Sequence, residues 1–458
     1  MKKLEQNNIL IVGLGKSGAS CACFLKSIGK TVTITDQKTE DAFADYIPEM
    51  RELGIKLELG THLDKTFENT DMIVLSPGVP HTLKPILRAK AKNIPVIGEI
   101  ELASIFIKEP ITAVTGTNGK TTTTTLLGEM LKKSGLNVFV GGNIGTPLID
   151  YVANKNKTNS TADRLVVEIS SFQLDTIEHF RPDTAVLLNI TEDHLDRYED
   201  FDAYVKTKSR IFENQKTGDT AVFNGDDLFV RSVSRQIKSS KFFINPKIEE
   251  KGIIIGFNTL SFQKGKFSGI KFDLSKVKLP GKHNQENMAA ACIAALASGG
   301  TPQGIQYALN NFKGLPHRIE YTATIDNVKY FDDSKATNVD AVARALESFD
   351  VPVVLIMGGR GKGGDFSVLK KLIQQRVRKL ILIGESKQEI MDALGHECIT
   401  GAEMAYEMED AVLRAKRAAV SGDVVLLSPS GSSFDMYSSY AVRGKDFCRV
   451  VKNLIGKS

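Results

Sequence analysis

Residues Ile111–Leu127 read ITAVTGTNGKTTTTTLL, and the reading of the whole chain starts from them. An apolar, β-prone run from Ile111 to Val114 meets a turn made of Gly116, Thr117, Asn118 and Gly119. Lys120 and Thr121 follow, and a helix-compatible segment runs on to Lys133. Strand, glycine turn, Lys-Thr and helix describe a phosphate cradle. The glycines let backbone N–H groups close on phosphate oxygens, and the helix N-terminus adds partial positive charge. Lys120 can reach terminal phosphates, and the Thr121 hydroxyl can hold Mg²⁺. The spacing departs from G-x-x-x-x-G-K-[ST], because Val114 stands where that pattern wants glycine. The competing reading is a glycine turn with an ordinary surface lysine.

Around this stretch lie 458 residues, which predicts two to four domains with ample chain for real cores. The net charge of +5 is modest, and basic residues are spread rather than striped, which argues against a nucleic-acid groove. Cys21, Cys23, Cys292, Cys398 and Cys448 form no C-x-x-C pair and read as reduced, partly buried thiols. MKKLEQNN leads straight into a strand without an apolar signal region, and no stretch approaches the ~20 apolar residues of a membrane span. The expectation is a cytoplasmic protein.

Residues 1–98 read as a small Rossmann-like domain. Strand Asn8–Val12 runs into Gly13-Leu14-Gly15-Lys16-Ser17-Gly18, a helix follows through Leu25, and strand Thr31–Thr35 ends at Asp36. An acidic residue at that offset suits a ribose hydroxyl, so the motif alone suggests NAD. A glycine fingerprint by itself is weak, and another nucleotide or phosphate, or a purely structural turn, stays open. Strand Asp71–Leu75 delivers Ser76-Pro77-Gly78 to a strand's carboxyl end, where open α/β sheets bind ligands.

Residues 99–314 hold the phosphate loop. Strand Asn137–Val140 ends in Gly141-Gly142-Asn143-Ile144-Gly145, and strand Leu165–Ile169 is apolar except for Glu168. A carboxylate ending a buried strand needs a partner, either Mg²⁺ or a core ion pair. Strand Thr184–Asn189 delivers the polar run that holds His194, a ligand, a base or a cap. Phe201–Glu213 reads as an amphipathic helix, and by pattern alone its Lys208 is a solvated surface charge. Lys241–Lys278 predicts an antiparallel meander. Asn284 and Asn287 share a face ahead of a helix over Met288–Ala297; they either read a nucleotide or cap that helix.

Residues 315–458 predict a second α/β sheet of parallel type, with strands at Val328–Phe331, Val353–Met357, Lys379–Ile383 and Asp423–Leu427. Its strand-end loops are Asp332–Asn338, Gly358–Asp365 and Ser428–Asp435. Their lysines, arginine and hydroxyls suit an anionic substrate, with ordinary turn chemistry as the alternative.

Taken in order, the motifs GLGKSG, SPGVP, GTNGKT, GGNIG, EISSFQL, NITEDHLDRY, HNQENMAAA, HR, DDSKATN, GGRGKGGDF and SPSGSSFD closely resemble the Mur ligases of bacterial cell-wall synthesis. SSFQL, DDSKATN and the short first domain resemble the D-glutamate-adding branch. The resemblance covers nearly the whole chain. It implies an α/β protein of three domains: a Rossmann-like N-terminal domain (1–98) for the UDP-substrate, a central P-loop ATPase-like parallel sheet with a small antiparallel addition (99–314) for ATP, and a C-terminal Rossmann-like α/β domain (315–458) for the amino acid. It also implies that the phosphate loop is a shorter form, so that Val114 is no defect.

The implied activity joins D-glutamate to UDP-N-acetylmuramoyl-L-alanine with ATP, through an acyl phosphate, in a cytoplasmic monomer. The implied ATP contacts are Gly116, Thr117, Asn118, Gly119, Lys120, Thr121, Thr122, Asn284, Asn287, Arg318 and Asp333. The UDP-substrate contacts are Gly15, Lys16, Ser17, Asp36, Ser76, Pro77, Gly78 and Asn143, which replaces the NAD reading of the first glycine turn. Lys335, Thr337, Lys362, Ser433 and Phe434 match the D-glutamate pocket. Two Mg²⁺ ions would be held by Thr121, Glu168 and His194, with Lys208 carbamylated by CO₂ in support, against the surface reading of that lysine. The catalytic set is then Lys120, Glu168, His194 and Lys208. Alternatives are a sister ligase for another amino acid, a folylpolyglutamate synthase, or an NAD- and ATP-binding regulator.

Overall fold

The computed structural model describes residues 4–193, 197–277, 279, 281–361, 363–395 and 401–455. Three sheets carry the chain. The first is parallel throughout, in the order β3-β2-β1-β4-β5, with β1 Asn8–Val12, β2 Thr31–Asp36, β3 Lys56–Leu59, β4 Met72–Leu75 and β5 Val96–Gly98. β1 and β4 are the central neighbours, and MIVL of β4 is buried at every position. Strands covered on both faces read as unbroken apolar runs, which is why these two are plain in the sequence. The chain reverses direction across the sheet between β1 and β4. Such a switch point opens a crevice at the carboxyl ends of the strands, where Gly13–Gly18 and Ser76–Gly78 lie.

The second sheet has nine strands in the order β14-β13-β12-β11-β10-β9-β6-β8-β7. They are β6 Ile111–Thr115, β7 Val138–Gly142, β8 Arg164–Glu168, β9 Thr184–Leu187, β10 Thr220–Asn224, β11 Ser240–Ile244, β12 Gly252–Ile255, β13 Thr259–Gln263 and β14 Lys271–Asp273. β6 lies between β8 and β9, parallel to both. The expected meander from Lys241 is shorter than the sequence suggested. β11 joins β10 in parallel because the helix Leu228–Ser234 carries the chain back across the sheet, and β12 joins β11 in parallel too. Only β12, β13 and β14 pair antiparallel.

The third sheet runs β15-β16-β20-β17-β18-β19, with β15 Glu320–Ile325, β16 Val328–Asp332, β17 Val353–Gly358, β18 Val377–Ile383, β19 Glu403–Met404 and β20 Val424–Ser430. It is parallel except for β15, which pairs antiparallel with β16 through a turn at Asp326 and Asn327, both at positive φ. Alternation sorts its core into two layers. Val354, Ile356, Val425 and Leu427 pack on one face with Met408, Val412 and Phe447, while Val353, Leu355, Val424 and Leu426 pack on the other with Val342 and Leu346.

The first two sheets belong to one compact unit and the third sheet to a second. Among the described residues, no helix is long and apolar enough to cross a membrane.

Candidate functional site

The phosphate-type turn sits at the carboxyl end of β6, flanked by the ends of β8 and β9. Val114 is a fully buried strand residue, so the turn begins after it. Gly119 has φ +84, and a Cβ there would lie 2.2 Å from Oδ1 of Asn287. Only glycine admits that approach without strain. The turn is held from the end of β9. Thr117 N–H donates to the Asn189 carbonyl (2.9 Å) and Asn118 N–H to Asn189 Oδ1 (2.8 Å). The Asn189 amide returns a bond to the Asn118 carbonyl (3.0 Å). Asn189 is a support the sequence reading missed: within TAVLLN it reads as the last residue of a strand, and only its buried amide hints otherwise. Lys120, first residue of the helix Lys120–Lys133, donates from Nζ to the carbonyls of Gly116 (2.9 Å) and Thr117 (2.8 Å). Thr121 is half-buried and Thr122 buried beside it.

Glu168 ends β8 opposite Val114 of β6 and is 1% exposed. Its Oε1 accepts from the Asn143 amide at 2.8 Å, and Oε2 has no hydrogen-bond partner among the described residues. Asn143 N–H also donates to the Glu168 carbonyl, 2.9 Å away. Gly142, at φ +99, makes this seating possible, since a Cβ there would stand 2.4 Å from the Glu168 carbonyl oxygen. A buried, half-satisfied carboxylate is costly on its own and suits a hard cation. With the Thr121 hydroxyl at the start of the neighbouring helix, the donor set is all oxygen and fits Mg²⁺.

The surface reading of Lys208 is overturned. The side chain is 1% exposed in the helix Phe201–Ser209, while Lys206 on another face is exposed. Tyr204 and Lys208 stand i, i+4 and both turn inward. Lys208 Nζ donates to the Gly116 carbonyl at 2.9 Å and lies 4.6 Å from the Tyr204 ring centroid; the Tyr204 hydroxyl meets Thr117 Oγ1 at 3.2 Å. Two lysines therefore converge on one carbonyl of the phosphate turn. His194 lies outside the described residues, as does Lys362.

Asn284 and Asn287 are both buried. Their helix spans Lys282–Ala297 and begins before either, so neither caps it. Asn287 Oδ1 accepts from Thr123 Oγ1 (3.4 Å), placing that amide against the phosphate turn.

In the first sheet, Asp36 accepts Leu14 N–H on Oδ2 and Lys38 N–H on Oδ1, both at 2.9 Å, so its carboxylate braces the glycine turn. Ser76 Oγ donates to the Gly13 carbonyl (2.8 Å), joining the two loops at the switch point. Gly15 faces open space, Ser17 is half-buried at the start of the helix Lys16–Ser27, Pro77 is half-buried and Gly78 is exposed. Lys16 Nζ reaches the Gly145 carbonyl at 2.6 Å.

In the second unit, Asp333 follows β16 and is buried, with Oδ2 accepting from Ser428 Oγ (2.8 Å) and Oδ1 from Ile319 N–H (3.3 Å). Burial pushes its carboxyl up to about 7, against the opposing pull of these bonds and of the Arg318 guanidinium. Lys335 Nζ lies 3.8 Å from the Tyr440 ring centroid. Thr337 is half-buried, Ser433 is buried and Phe434 is exposed. Arg443 was not singled out in the sequence, where an arginine in a helix reads as surface. It is 3% exposed and donates to Ser334 Oγ and O (2.9 Å each) and to the Gly431 carbonyl (3.1 Å), tying the Asp332–Asn338 loop to the Ser428–Asp435 loop.

Three family models match in succession: the Mur ligase MurD-like N-terminal domain over residues 7–98, the Mur ligase middle domain over 114–295, and the Mur ligase glutamate ligase domain over 317–431. A protein of Desulfosudis oleivorans named UDP-N-acetylmuramoylalanine--D-glutamate ligase is 52% identical over 99% of this chain and 98% of its own. One of the same name from Desulfatibacillum aliphaticivorans is 48% identical over 98% of this chain and 99% of its own. The chain belongs to the Mur ligase family. Solved structures agree on the fold of this Mur ligase. A pseudomurein peptide ligase type C from Methanothermus fervidus matches with TM-score 0.61 at 21% identity, covering 98% of this chain and 100% of that one. The UDP-N-acetylmuramate-alanine ligase MurC of Thermotoga maritima matches with TM-score 0.58 at 19% identity, covering 99% and 100%.

Proposed function

We propose that this Mur ligase adds D-glutamate to UDP-N-acetylmuramoyl-L-alanine at the expense of ATP, a step of peptidoglycan precursor synthesis. The observation that carries the reading is the identity of 52% over essentially the full length to a relative named for that activity. Division into a UDP-substrate domain (1–98), an ATP domain (99–314) and an amino-acid domain (315–458) belongs to the same proposal, as does action by a cytoplasmic monomer.

The reaction balances in two steps. The substrate carboxylate attacks the γ-phosphorus of ATP, a P–O bond to ADP breaks, and an acyl phosphate forms. The amine of D-glutamate then attacks the acyl carbon, a C–N bond forms, phosphate leaves and the amine loses a proton. Catalysis of this kind is mainly positioning and charge neutralisation. The turn Gly116–Gly119, held from Asn189 through the N–H groups of Thr117 and Asn118, presents the phosphates with the N–H groups of Gly119 and of the helix start, Lys120 to Thr122. Lys120, now lying on the turn's own carbonyls, swings to the β- and γ-phosphates. Thr121, Glu168 and His194 would hold two Mg²⁺ ions, which would supply neutralisation of charge on the transferred phosphoryl group. Asn143, fixed on Glu168, orients the substrate carboxylate.

Lys208 is assigned the carbamate. Its ammonium and that of Lys120 meet on the Gly116 carbonyl, an arrangement of like charges. Addition of CO₂ to the neutral amine, with loss of one proton, turns one of the two cations into an anion that attracts the other. Asn284, Asn287, Arg318 and Asp333 are assigned to the nucleotide. The first crevice, with Gly15, Lys16, Ser17, Asp36, Ser76, Pro77 and Gly78, is assigned to the UDP end. Lys335, Thr337, Lys362, Ser433 and Phe434 are assigned to D-glutamate. The test is the mass of the nucleotide product: a gain of one glutamyl residue with D-glutamate and none with L-glutamate supports the reading, and no gain with either contradicts it.

A further inference from the structure

Two side chains that follow strands of the first sheet converge on a single loop of the second. Lys16, after β1, donates from Nζ to the Gly145 carbonyl at 2.6 Å. Glu99, directly after β5 and 1% exposed, accepts the backbone N–H of Ile149 at 2.7 Å, at the start of the helix Leu148–Thr158. Gly145 stands within the turn Gly142–Pro147, which is closed on itself by Gly142 N–H to the Thr146 carbonyl (2.8 Å), and Ile149 follows two residues past the end of that turn. The far side of the loop holds Glu168, through the Asn143 side chain and backbone. Its fit there is tight, because any side chain at Gly142 would collide with the Glu168 carbonyl.

We infer that Lys16 is a positioning residue, which acts through the Gly142–Pro147 loop and Asn143 to aim the Glu168 carboxylate. The inference builds on the reading that the first glycine turn takes the UDP end and that Glu168 faces the metal of ATP. It differs in what it asks of the Lys16 side chain. The backbone N–H groups at the start of the helix Lys16–Ser27 serve an anion, while the ammonium is turned away onto Gly145. The two sites are then connected by a short chain of bonds: glycine turn, Lys16, Gly145, Asn143, Glu168. A turn closed on itself, tied at Gly145 and again just past its C-terminal end, transmits a displacement to Asn143, where a slack one would absorb it. Glu99 fixes the other end of the loop by capping the helix that follows.

The test is a double-mutant cycle between Lys16 and Asn143, read in two ways. Lys16→Met keeps the aliphatic stem and removes the donor; Lys16→Arg restores a donor. In turnover, Lys16→Met should lower kcat by about tenfold and leave KM for the UDP-substrate within about twofold, Lys16→Arg should recover most of the loss, and Lys16→Met should cost nothing further when Asn143 is already alanine. In calorimetric titration of ADP, Lys16→Met should weaken binding about fivefold with Mg²⁺ present and leave metal-free ADP unchanged, again only when Asn143 is intact. A raised KM with unchanged kcat, or losses that multiply in the double variant, would overturn the proposal, since the lysine would then be acting on the substrate itself. Absence of turnover in the wild-type chain with UDP-N-acetylmuramoyl-L-alanine and D-glutamate would defeat the function reading instead, and the Mg²⁺–ADP cycle would still decide the role of Lys16.

Discussion

At the scale of single residues, Glu168 and Lys208 are where burial and charge conflict most. Glu168 keeps one carboxylate oxygen without a hydrogen-bond partner among the described residues at 1% exposure. A buried charge lacking compensation destabilises the folded chain. Glu168→Gln should therefore raise the melting temperature in the absence of Mg²⁺, yet lose the added stabilisation that Mg²⁺ with ADP gives the wild type. Thermal melts with and without the two ligands check this; equal ligand shifts in both proteins would exclude Glu168 as a metal ligand. Lys208→Ala should lower turnover by about a hundredfold or more, the scale of losing one preorganised charge in an active site. Bicarbonate or short carboxylic acids should restore part of it, and full activity in the unsupplemented variant would remove the carbamate.

Two buried carboxyls set a pH dependence. Burial raises Glu99 from 4.5 and Asp333 from 3.8, each to about 7. Between the ordinary value and 7 the folded chain retains a proton that the unfolded chain has released. Stability is then greatest below about pH 4 as far as these groups decide it, and declines as pH rises to 7. Glu99→Gln should flatten the decline between pH 5 and pH 8 by on the order of 3 kcal/mol. Denaturant unfolding at the two pH values measures it, and the same pH slope in both proteins would refute the assignment.

At the scale of elements, what the sequence made legible follows from periodicity and turn chemistry. Strands β1 and β4 are apolar runs that end where Gly13 and Ser76 begin, whereas β20 runs past the expected end at Leu427 through Ser428-Pro429-Ser430, with Ser430 paired to Gly358 of β17. Elements decided by tertiary contact were harder to read. β15 is only half-buried along EYTATI and gave no clear alternation, and β11 differs from the meander that follows it only in the helix that precedes it. Lys208 and Arg443 show the same limit within helices. A long cationic side chain has an identical pattern whether it meets water or a ring of carbonyls, and composition cannot tell the two apart. The phosphate turn was legible because its chemistry is local, yet its supports, Asn189 and Asn287, come from distant segments. Gly119 marks the joint between turn and support. Gly119→Ala would force a Cβ onto Asn287 at φ +84, and should cost the turn roughly 1–2 kcal/mol in backbone strain alone. The expected outcome is a higher KM for ATP and a melting temperature lowered by a few degrees; an unchanged KM would mean that the turn tolerates a side chain and need not close on phosphate.

At the scale of the whole molecule, three sheets each present ligand-type residues at strand carboxyl ends: Asp36 and Ser76 in the first, Lys120 and Glu168 in the second, Asp333 and Ser433 in the third. On the proposed reading these strand ends would take a nucleotide-linked acid, ATP and an amino acid, one for each sheet. That logic was available from motif order alone, whereas the bonds that brace one crevice against another, such as Lys16 on Gly145, required the structure. The central claim is tested most directly by phosphate release from ATP with UDP-N-acetylmuramoyl-L-alanine present, comparing D-glutamate, L-glutamate, L-lysine and no amino acid. Release with D-glutamate alone is the predicted result, and release that is equal with another amino acid, or absent under every condition, would contradict it.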